Sequence, residues 1–156
     1  HVPILRQDLA KILSQQDCKP RSYRYKGISN VFDSLPTEFL FTTTPEQISK
    51  MIHRVLEAEQ ESDMRVEIAE QQRQDTAFVL LAMPRVFWSD DRLEGVVGLL
   101  KDHTEATYVD HGAFVGRYNT ILVHFFLTGT QELSKDSKQG LINIIIVYIL
   151  INFPIK

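Results

Sequence analysis

Cysteine is almost missing from this chain of 156 residues, and its scarcity excludes several classes of protein. With Cys18 as the only cysteine, the chain can form neither an internal disulfide nor a thiolate cluster around zinc. A reducing compartment suits such a chain, and we predict a cytoplasmic location. Cys18 has no local motif around it, so an ordinary surface thiol is a better interpretation than a nucleophile.

An excess of positive charge is absent too. There are 17 basic and 20 acidic residues, for a formal net charge of -3. Nucleic-acid binding draws much of its free energy from the counterions that basic residues release, so we predict no nucleic-acid partner. The composition, 44% hydrophobic and 24% charged, is typical of a soluble globular protein, and the length suits one core.

The common signatures of catalysis are missing as well. The sequence has no glycine-rich phosphate loop, no serine-hydrolase elbow, no paired-histidine zinc motif and no calcium loop. We therefore assign no catalytic residue and no metal site. One alternative stays open, a stand-alone enzyme built on Arg85, Asp110 and His111. Neighbouring residues on a strand point to opposite faces, so a surface pair is the favoured interpretation of Asp110 and His111.

Apolar residues recur at helical spacing near the start of the chain. The pattern predicts an amphipathic helix over residues 4–16 and a second over residues 25–34, shortly before Pro36. A short strand over residues 39–43 is a further expectation. Residues 1–43 are thus predicted to form a helical lead-in.

Residues 44–129 show the alternation of helices and strands that is typical of an α+β domain. We expect, in order, a helix from residue 45 that Thr44 caps, strands over residues 64–68 and 76–83, a helix that Ser89 or Asp90 caps, and strands over residues 106–109 and 120–127. This order predicts an antiparallel sheet with helices on one face, close to a ferredoxin-like arrangement. The second strand is apolar almost throughout, as is typical of a strand covered on both faces. Gly95 and Gly98 are expected to let the second helix approach the sheet closely.

Residues 130–156 differ in composition from the rest of the chain. A polar stretch over residues 132–139 is followed by an almost entirely apolar run over residues 141–153. Crossing a bilayer takes about 20 apolar residues, so this run is short for a membrane anchor. We expect a buried terminal element. A membrane tether and a truncated or read-through end are the alternatives.

Arg85 follows the buried strand and precedes a helix start, which is a suggestive place for a ligand. Its charge and the free N–H groups at the start of that helix would favour a carboxylate. We therefore predict a ligand-binding site at Arg85, Ser89 and Asp90. The alternative is that Arg85 pairs with Asp90, Asp91 or Glu94 and holds the loop in place.

Two stretches of the sequence resemble a known family. They are SNVFDSLPTEFLF at residues 29–41 and FVLLAMPR at residues 78–85, the latter followed by Ser89 and Arg92. Both resemble the amino-terminal half of the large NAD-specific glutamate dehydrogenases. The resemblance covers about residues 3–129 and its motifs are structural, whereas the chain after Gly129 departs from the family.

The resemblance implies an ACT-like fold and a regulatory or assembly role, with an amino acid as the effector that is sensed. The parent enzyme would oxidise glutamate to 2-oxoglutarate and ammonia with NAD, in a Rossmann-containing region outside this chain. We thus expect no cofactor here and no catalytic residue carried over from the family. The expected partners are the remainder of the parent enzyme or further copies of this chain. A stand-alone ligand-binding or adaptor domain is the alternative.

Overall fold

The structure of the protein is a computed structural model that describes residues 3–16, 22–69 and 75–152. These ranges contain six α-helices and four strands. Cys18 and the end of the apolar run, from residue 153, lie outside the described residues.

Three helices form the lead-in. They are α1 (Pro3–Gln15), α2 (Tyr23–Ser34) and α3 (Thr37–Thr42). The two amphipathic helices expected in this region are confirmed. The side-chain oxygen of Ser22 caps α2, because it accepts a hydrogen bond from the backbone N–H of Tyr25 at 3.1 Å.

The strand expected over residues 39–43 is wrong, because most of this segment belongs to α3. Phe39 and Leu40 are both buried in the same core. Adjacent residues on a strand would point to opposite faces, whereas a helix can turn both toward one core. The ring of Phe39 stacks on the ring of Phe78 in the sheet, with centroids 4.0 Å apart, and this contact helps to hold α3 on the sheet.

The long helix α4 (Pro45–Glu61) joins the lead-in to the sheet. Its start is capped as expected, since the side-chain oxygen of Thr44 accepts a hydrogen bond from the backbone N–H of Gln47 at 3.3 Å. Ser62 ends the helix in the left-handed conformation, with φ of 51°. The buried residues of α4 follow the spacing of an amphipathic helix, and they are Ile48, Met51, Ile52, Val55, Leu56, Ala58 and Glu59.

Four antiparallel strands make the sheet. They are β1 (Arg65–Ala69), β2 (Thr76–Pro84), β3 (Tyr108–Val115) and β4 (Thr120–Thr128), in the spatial order β1-β2-β4-β3. Helix α5 (Asp90–Thr104) follows β2, and α6 (Lys135–Ile151) follows β4. The α+β class with an antiparallel sheet and a helical lead-in is confirmed. The elements do not follow the βαββαβ order of ferredoxin-like folds, so that detail is not confirmed.

Strand β3 is longer than expected. The sequence predicts an extended run over residues 106–109 and, after it, a turn-rich stretch that holds Gly112, Gly116 and Asn119, whereas β3 runs from Tyr108 to Val115. Gly112 pairs with His124 of β4, and a Cβ atom at Gly112 would lie 2.5 Å from the ring of His124. This glycine therefore makes room for a large ring from the neighbouring strand and does not mark a turn.

Helices cover both faces of the sheet, which corrects the expectation of helices on one face. Phe78 and Leu80 of β2 pack in a first core with α1 to α4. Val79 and Leu81 pack in a second core with α5 and α6. The physical reason is the alternation of side chains along a strand, because a strand that is apolar at successive positions must be covered on both sides.

The apolar run that begins at residue 141 lies in α6. Leu141, Ile145 and Ile149 are buried in the second core, whereas Val147, Leu150 and Ile151 are half or more exposed. The expectation of a buried element therefore holds for one face of α6 only. Among the described residues, no helix is both long enough and apolar enough to cross a membrane. The segment boundaries after residues 43 and 129 stay predictions.

The two glycines of α5 differ in what surrounds them. A Cβ atom at Gly95 would overlap the ring of Tyr148 on α6, whereas a Cβ atom at Gly98 would meet nothing within 4 Å. The expectation that both glycines let α5 approach the sheet is therefore wrong. Gly95 receives a side chain from α6, and Gly98 faces open space.

We expect Gly98→Ala to raise the free energy of unfolding by about 0.5–1 kcal/mol, because alanine loses less backbone entropy in a helix than glycine does. Gly95→Ala is the matched control, because it gains the same helix propensity but must displace Tyr148. Urea denaturation of both variants measures the difference. Equal stabilisation by the two substitutions would contradict the close packing of α5 on α6.

Candidate functional site

The predicted ligand residues lie around the start of α5. Arg85 begins a short 3-10 turn and its side chain is exposed, as is that of Asp90. The Oγ atom of Ser89 accepts a hydrogen bond from Nη1 of Arg92 at 2.9 Å. Within the described ranges, the side chain of Arg85 makes no ion pair with the acidic residues of α5. The alternative in which such a pair holds the loop in place is therefore not observed. Ligand binding at Arg85, Ser89 and Asp90 stays a prediction.

Asp110 and His111 are exposed and point to opposite faces of β3, as expected from the alternation of a strand. The ring of His111 lies 6.5 Å from that of Phe125, which belongs to the second core. The structure therefore does not bring the carboxylate of Asp110 and the imidazole of His111 together on one face. The stand-alone enzyme stays an alternative. In the part of the chain that the structure describes, no group of three or more His, Cys, Asp or Glu side chains is placed to hold a metal.

A carboxyl group is buried between the lead-in and the sheet, that of Glu59 on α4, whose residue is 3% exposed. Its Oε2 accepts a hydrogen bond from the backbone N–H of Arg117 at 2.9 Å, and the Nε atom of Arg117 lies 4.0 Å from the same oxygen. The other oxygen, Oε1, is buried without a hydrogen-bond partner among the described residues. Buried polar atoms are nearly always hydrogen-bonded, so Oε1 marks a place where a further donor would bind.

The sequence patterns assign no role to Glu59, although its position in α4 is unusual for an acidic residue. It continues the buried stripe of α4 at the helical spacing of Ile48, Ile52 and Val55. An acidic residue at such a position is almost never fully buried unless it is paired. Its partner could not be found in this way, because Arg117 is 58 residues away along the chain.

Arg117 lies in the tight connection between β3 and β4. A Cβ atom at the preceding Gly116 would lie 3.2 Å from Oε2 of Glu59, so the missing side chain gives the carboxylate room. The next two residues, Tyr118 and Asn119, have positive φ angles of 56° and 59°. This conformation costs a non-glycine residue on the order of 1–3 kcal/mol. The surrounding structure must therefore hold the connection in place.

Two aromatic rings hold the guanidinium group of Arg117. Its carbon lies 4.6 Å from the ring centroid of Tyr23 on α2 and 5.6 Å from that of Tyr118. The hydroxyl groups of the two tyrosines share a hydrogen bond. Gly27 lets α2 approach this group, because a Cβ atom there would lie 2.5 Å from Nη2 of Arg117. The lead-in helix thus fixes the arginine beside the buried carboxylate.

A cavity of about 310 Å³ lies beside Glu59 and Arg117, and we refer to it as the Glu59 pocket. Its wall consists of Asn30, Val31, Glu59, Phe114, Val115, Gly116, Arg117 and Leu122. The volume is at the lower end of the range for small-molecule sites. A largely apolar wall with a few charged groups is typical of ligand pockets, because the apolar surface gives affinity and the charges fix the orientation.

A larger groove of about 600 Å³ lies between α1, α2 and α3. Its charged residues, Arg6 and Asp33, are both exposed to solvent. Exposed charges are satisfied by water and need no ligand. The buried carboxylate therefore makes the Glu59 pocket the better candidate for a functional site.

Burial raises the pKa of Glu59 above its usual value, because the charged form loses its hydration. The backbone N–H and the positive charge of Arg117 lower this pKa, but they do not cancel the effect of burial. The folded chain therefore holds the proton of Glu59 more tightly than the unfolded chain does.

Comparison with known families identifies the part of the chain that supplies Glu59. Residues 2–61 match a family model described as glutamate dehydrogenase, helical motif 1. Residues 2–61 carry a glutamate dehydrogenase motif. This glutamate dehydrogenase motif spans α1 to α4 and includes Glu59, whereas Arg117 lies beyond it. A comparison with curated proteins found no match. The resemblance to glutamate dehydrogenases is thus confirmed over residues 2–61, whereas its extension to residue 129 stays a prediction.

We expect Glu59→Gln to raise the melting temperature at pH 7, because glutamine keeps the shape of the side chain and removes a buried charge. With a raised pKa in the folded state, the stability that protonated Glu59 contributes is present at low pH and is lost as pH rises through that pKa. The gain from Glu59→Gln should therefore shrink as pH falls toward 4. Thermal denaturation between pH 4 and 8 measures it.

The control for this prediction is Glu57→Gln, two residues away on the same helix with a side chain that is 46% exposed. We expect little change in its melting temperature at any of these pH values. A Glu59→Gln variant that is less stable than the unmodified chain at pH 7 would contradict the prediction, since it would mean that the pairing with Arg117 outweighs desolvation.

Proposed function

We propose that this chain is a non-catalytic regulatory region of a large NAD-dependent glutamate dehydrogenase and that it senses an amino acid. The parent enzyme would convert glutamate to 2-oxoglutarate and ammonia at a site outside this chain. The match of residues 2–61 to a glutamate dehydrogenase motif supports a place in a glutamate dehydrogenase. A cytoplasmic location belongs to the same proposal.

The observation that carries the proposal is the unpaired, buried Oε1 atom of Glu59 beside a cavity. Leaving a buried polar atom without a partner costs on the order of 1–3 kcal/mol. A ligand that donates a hydrogen bond to Oε1 would recover this free energy. Departures from full satisfaction of polar groups are expected mainly at functional positions, so the pocket is best explained as a binding site.

The position of the Glu59 pocket favours regulation over catalysis. Its wall takes residues from α2, α4 and the strands β3 and β4. A ligand would therefore contact the glutamate dehydrogenase motif and the sheet at the same time. A ligand that binds one arrangement of these parts more tightly than another shifts the population toward that arrangement. The remainder of the parent enzyme, or a second copy of the chain, would respond to this shift.

The Glu59 pocket does not suit NAD. A dinucleotide would bring a negatively charged pyrophosphate toward the carboxylate of Glu59. Dinucleotide sites place the pyrophosphate on the N–H groups of a glycine-rich turn at a helix start, and Glu59 lies instead in the last turns of α4. We therefore assign none of these residues to the cofactor of the parent enzyme.

An assembly role is the second candidate function. Helix α6 exposes Val147 and Ile151, which are 52% and 75% accessible to solvent and lie one turn apart. Apolar residues grouped on the exposed face of a helix are typical of contacts between proteins. The remainder of the parent enzyme or a second copy of the chain would cover them.

We expect isothermal titration calorimetry at high protein concentration to detect binding of at least one amino acid from a panel that includes glutamate and aspartate. The reason is that the Glu59 pocket offers a charge of each sign to a ligand that carries both. Titration with ammonium chloride and with sodium acetate gives the controls for each charge alone. If no amino acid produces heat, the sensing role is wrong and only the assembly role is left.

A further inference from the structure

We infer that the Glu59 pocket binds the zwitterion of an α-amino acid with an apolar side chain, with Glu59 holding its ammonium group and Arg117 its carboxylate. The inference rests on the proposed function and names the site and the chemical class of its ligand. It excludes acidic amino acids as the preferred occupants.

The ammonium group is assigned to the carboxylate of Glu59, a residue in the wall of the cavity, whose Oε1 atom would accept its hydrogen bond. This atom is buried and has no partner among the described residues, while Oε2 already accepts the backbone N–H of Arg117. An ammonium group carries three N–H donors, and its charge would match that of the carboxylate. Charge-assisted hydrogen bonds of this kind are shorter and stronger than neutral ones.

The carboxylate of the ligand is assigned to the guanidinium group of Arg117. The rings of Tyr23 and Tyr118 hold this group in place, and its Nη atoms meet no hydrogen-bond acceptor among the described residues. A guanidinium group presents donors in a fork that matches the two oxygens of a carboxylate. A group that is already fixed loses little entropy when a ligand binds.

The pair of charges selects a zwitterion. A ligand with a carboxylate alone would be repelled by Glu59, and a ligand with an ammonium group alone would be repelled by Arg117, since both residues line the same cavity. A zwitterion satisfies both and adds no net charge to a partly buried site. This balance distinguishes an amino acid from an organic acid or an amine.

The rest of the wall selects the side chain of the ligand. Val31, Phe114, Val115 and Leu122 contribute apolar surface, which favours an aliphatic group. A cavity of about 310 Å³ is large enough for a small amino acid. Glutamate or aspartate would place a second carboxylate against this apolar wall, at a free-energy cost that an aliphatic side chain avoids.

The test uses three matched probes with the complete chain in calorimetry. Valine carries both charges, isovalerate lacks the ammonium group and isobutylamine lacks the carboxylate. We expect valine to bind, and each truncated probe to bind about 10–100-fold more weakly, because each loses one charge-assisted interaction. Methionine and glutamate extend the series, with methionine expected to bind and glutamate expected to bind more weakly than valine.

Two substitutions assign the charges to residues. We expect Glu59→Gln to weaken valine binding about 10–100-fold and to improve the binding of isovalerate, because the repulsion of its carboxylate is gone. Arg117→Gln should weaken valine and improve isobutylamine in the same manner. Glu57→Gln, exposed on the same helix, is the control and should leave all three affinities unchanged. Circular dichroism checks that each variant is folded.

The outcomes separate this inference from the proposed function. Valine binding that is unchanged in both Glu59→Gln and Arg117→Gln would overturn the inference and leave amino-acid sensing standing at another site. Preferential binding of glutamate over valine and methionine would overturn the ligand class and keep the proposed function. No binding by any amino acid would overturn both.

Discussion

Strand β2 can be stable only when apolar layers cover both of its faces, and the architecture of the chain follows from this requirement. Its residues alternate between the first core, which includes Phe78 and Leu80, and the second core, which includes Val79 and Leu81. A single helical layer would leave half of these side chains in water, at about 25 cal/mol for each Å² of apolar surface exposed. The lead-in and α4 therefore cover one face, and α5 and α6 cover the other.

The same requirement explains how a carboxylate came to lie inside the protein. Helix α4 must lie flat on the sheet to cover β2, and the residues of its inner stripe are then removed from water. Glu59 is on that stripe. Its burial is tolerated because Arg117 and Gly116 bring a backbone N–H, a positive charge and free space to one oxygen. The second oxygen is buried without a partner among the described residues, and Glu59 belongs to the wall of the Glu59 pocket. The junction between the lead-in and the sheet is therefore the centre of the proposed function.

Local patterns predicted those elements that depend on local interactions. The start of α4 follows from Thr44 and Pro45, whose cap can be read within a few residues. The conformation of residues 39–43 was harder to predict, because it depends on the packing of Phe39 against Phe78, which is far away in sequence. Gly112 was misleading for a similar reason. A glycine in a turn and a glycine beneath a neighbouring ring look alike until the partner strand is in place.

The candidate site likewise depends partly on local sequence and partly on tertiary structure. Periodicity was sufficient to predict the helices α1, α2, α4 and α5, because the spacing of apolar residues shows which face of a helix is buried. It did not identify α3, which was expected to be a strand. Motifs within residues 2–61 were sufficient to relate the chain to glutamate dehydrogenases. The pairing of Glu59 with Arg117 required the tertiary structure, because only the packing of α4 against the connection between β3 and β4 brings residues 58 positions apart within hydrogen-bond distance. Which face of the sheet each helix covers was likewise decided by packing. An apolar stripe shows that one face of a helix must be covered, but it does not show which element covers it.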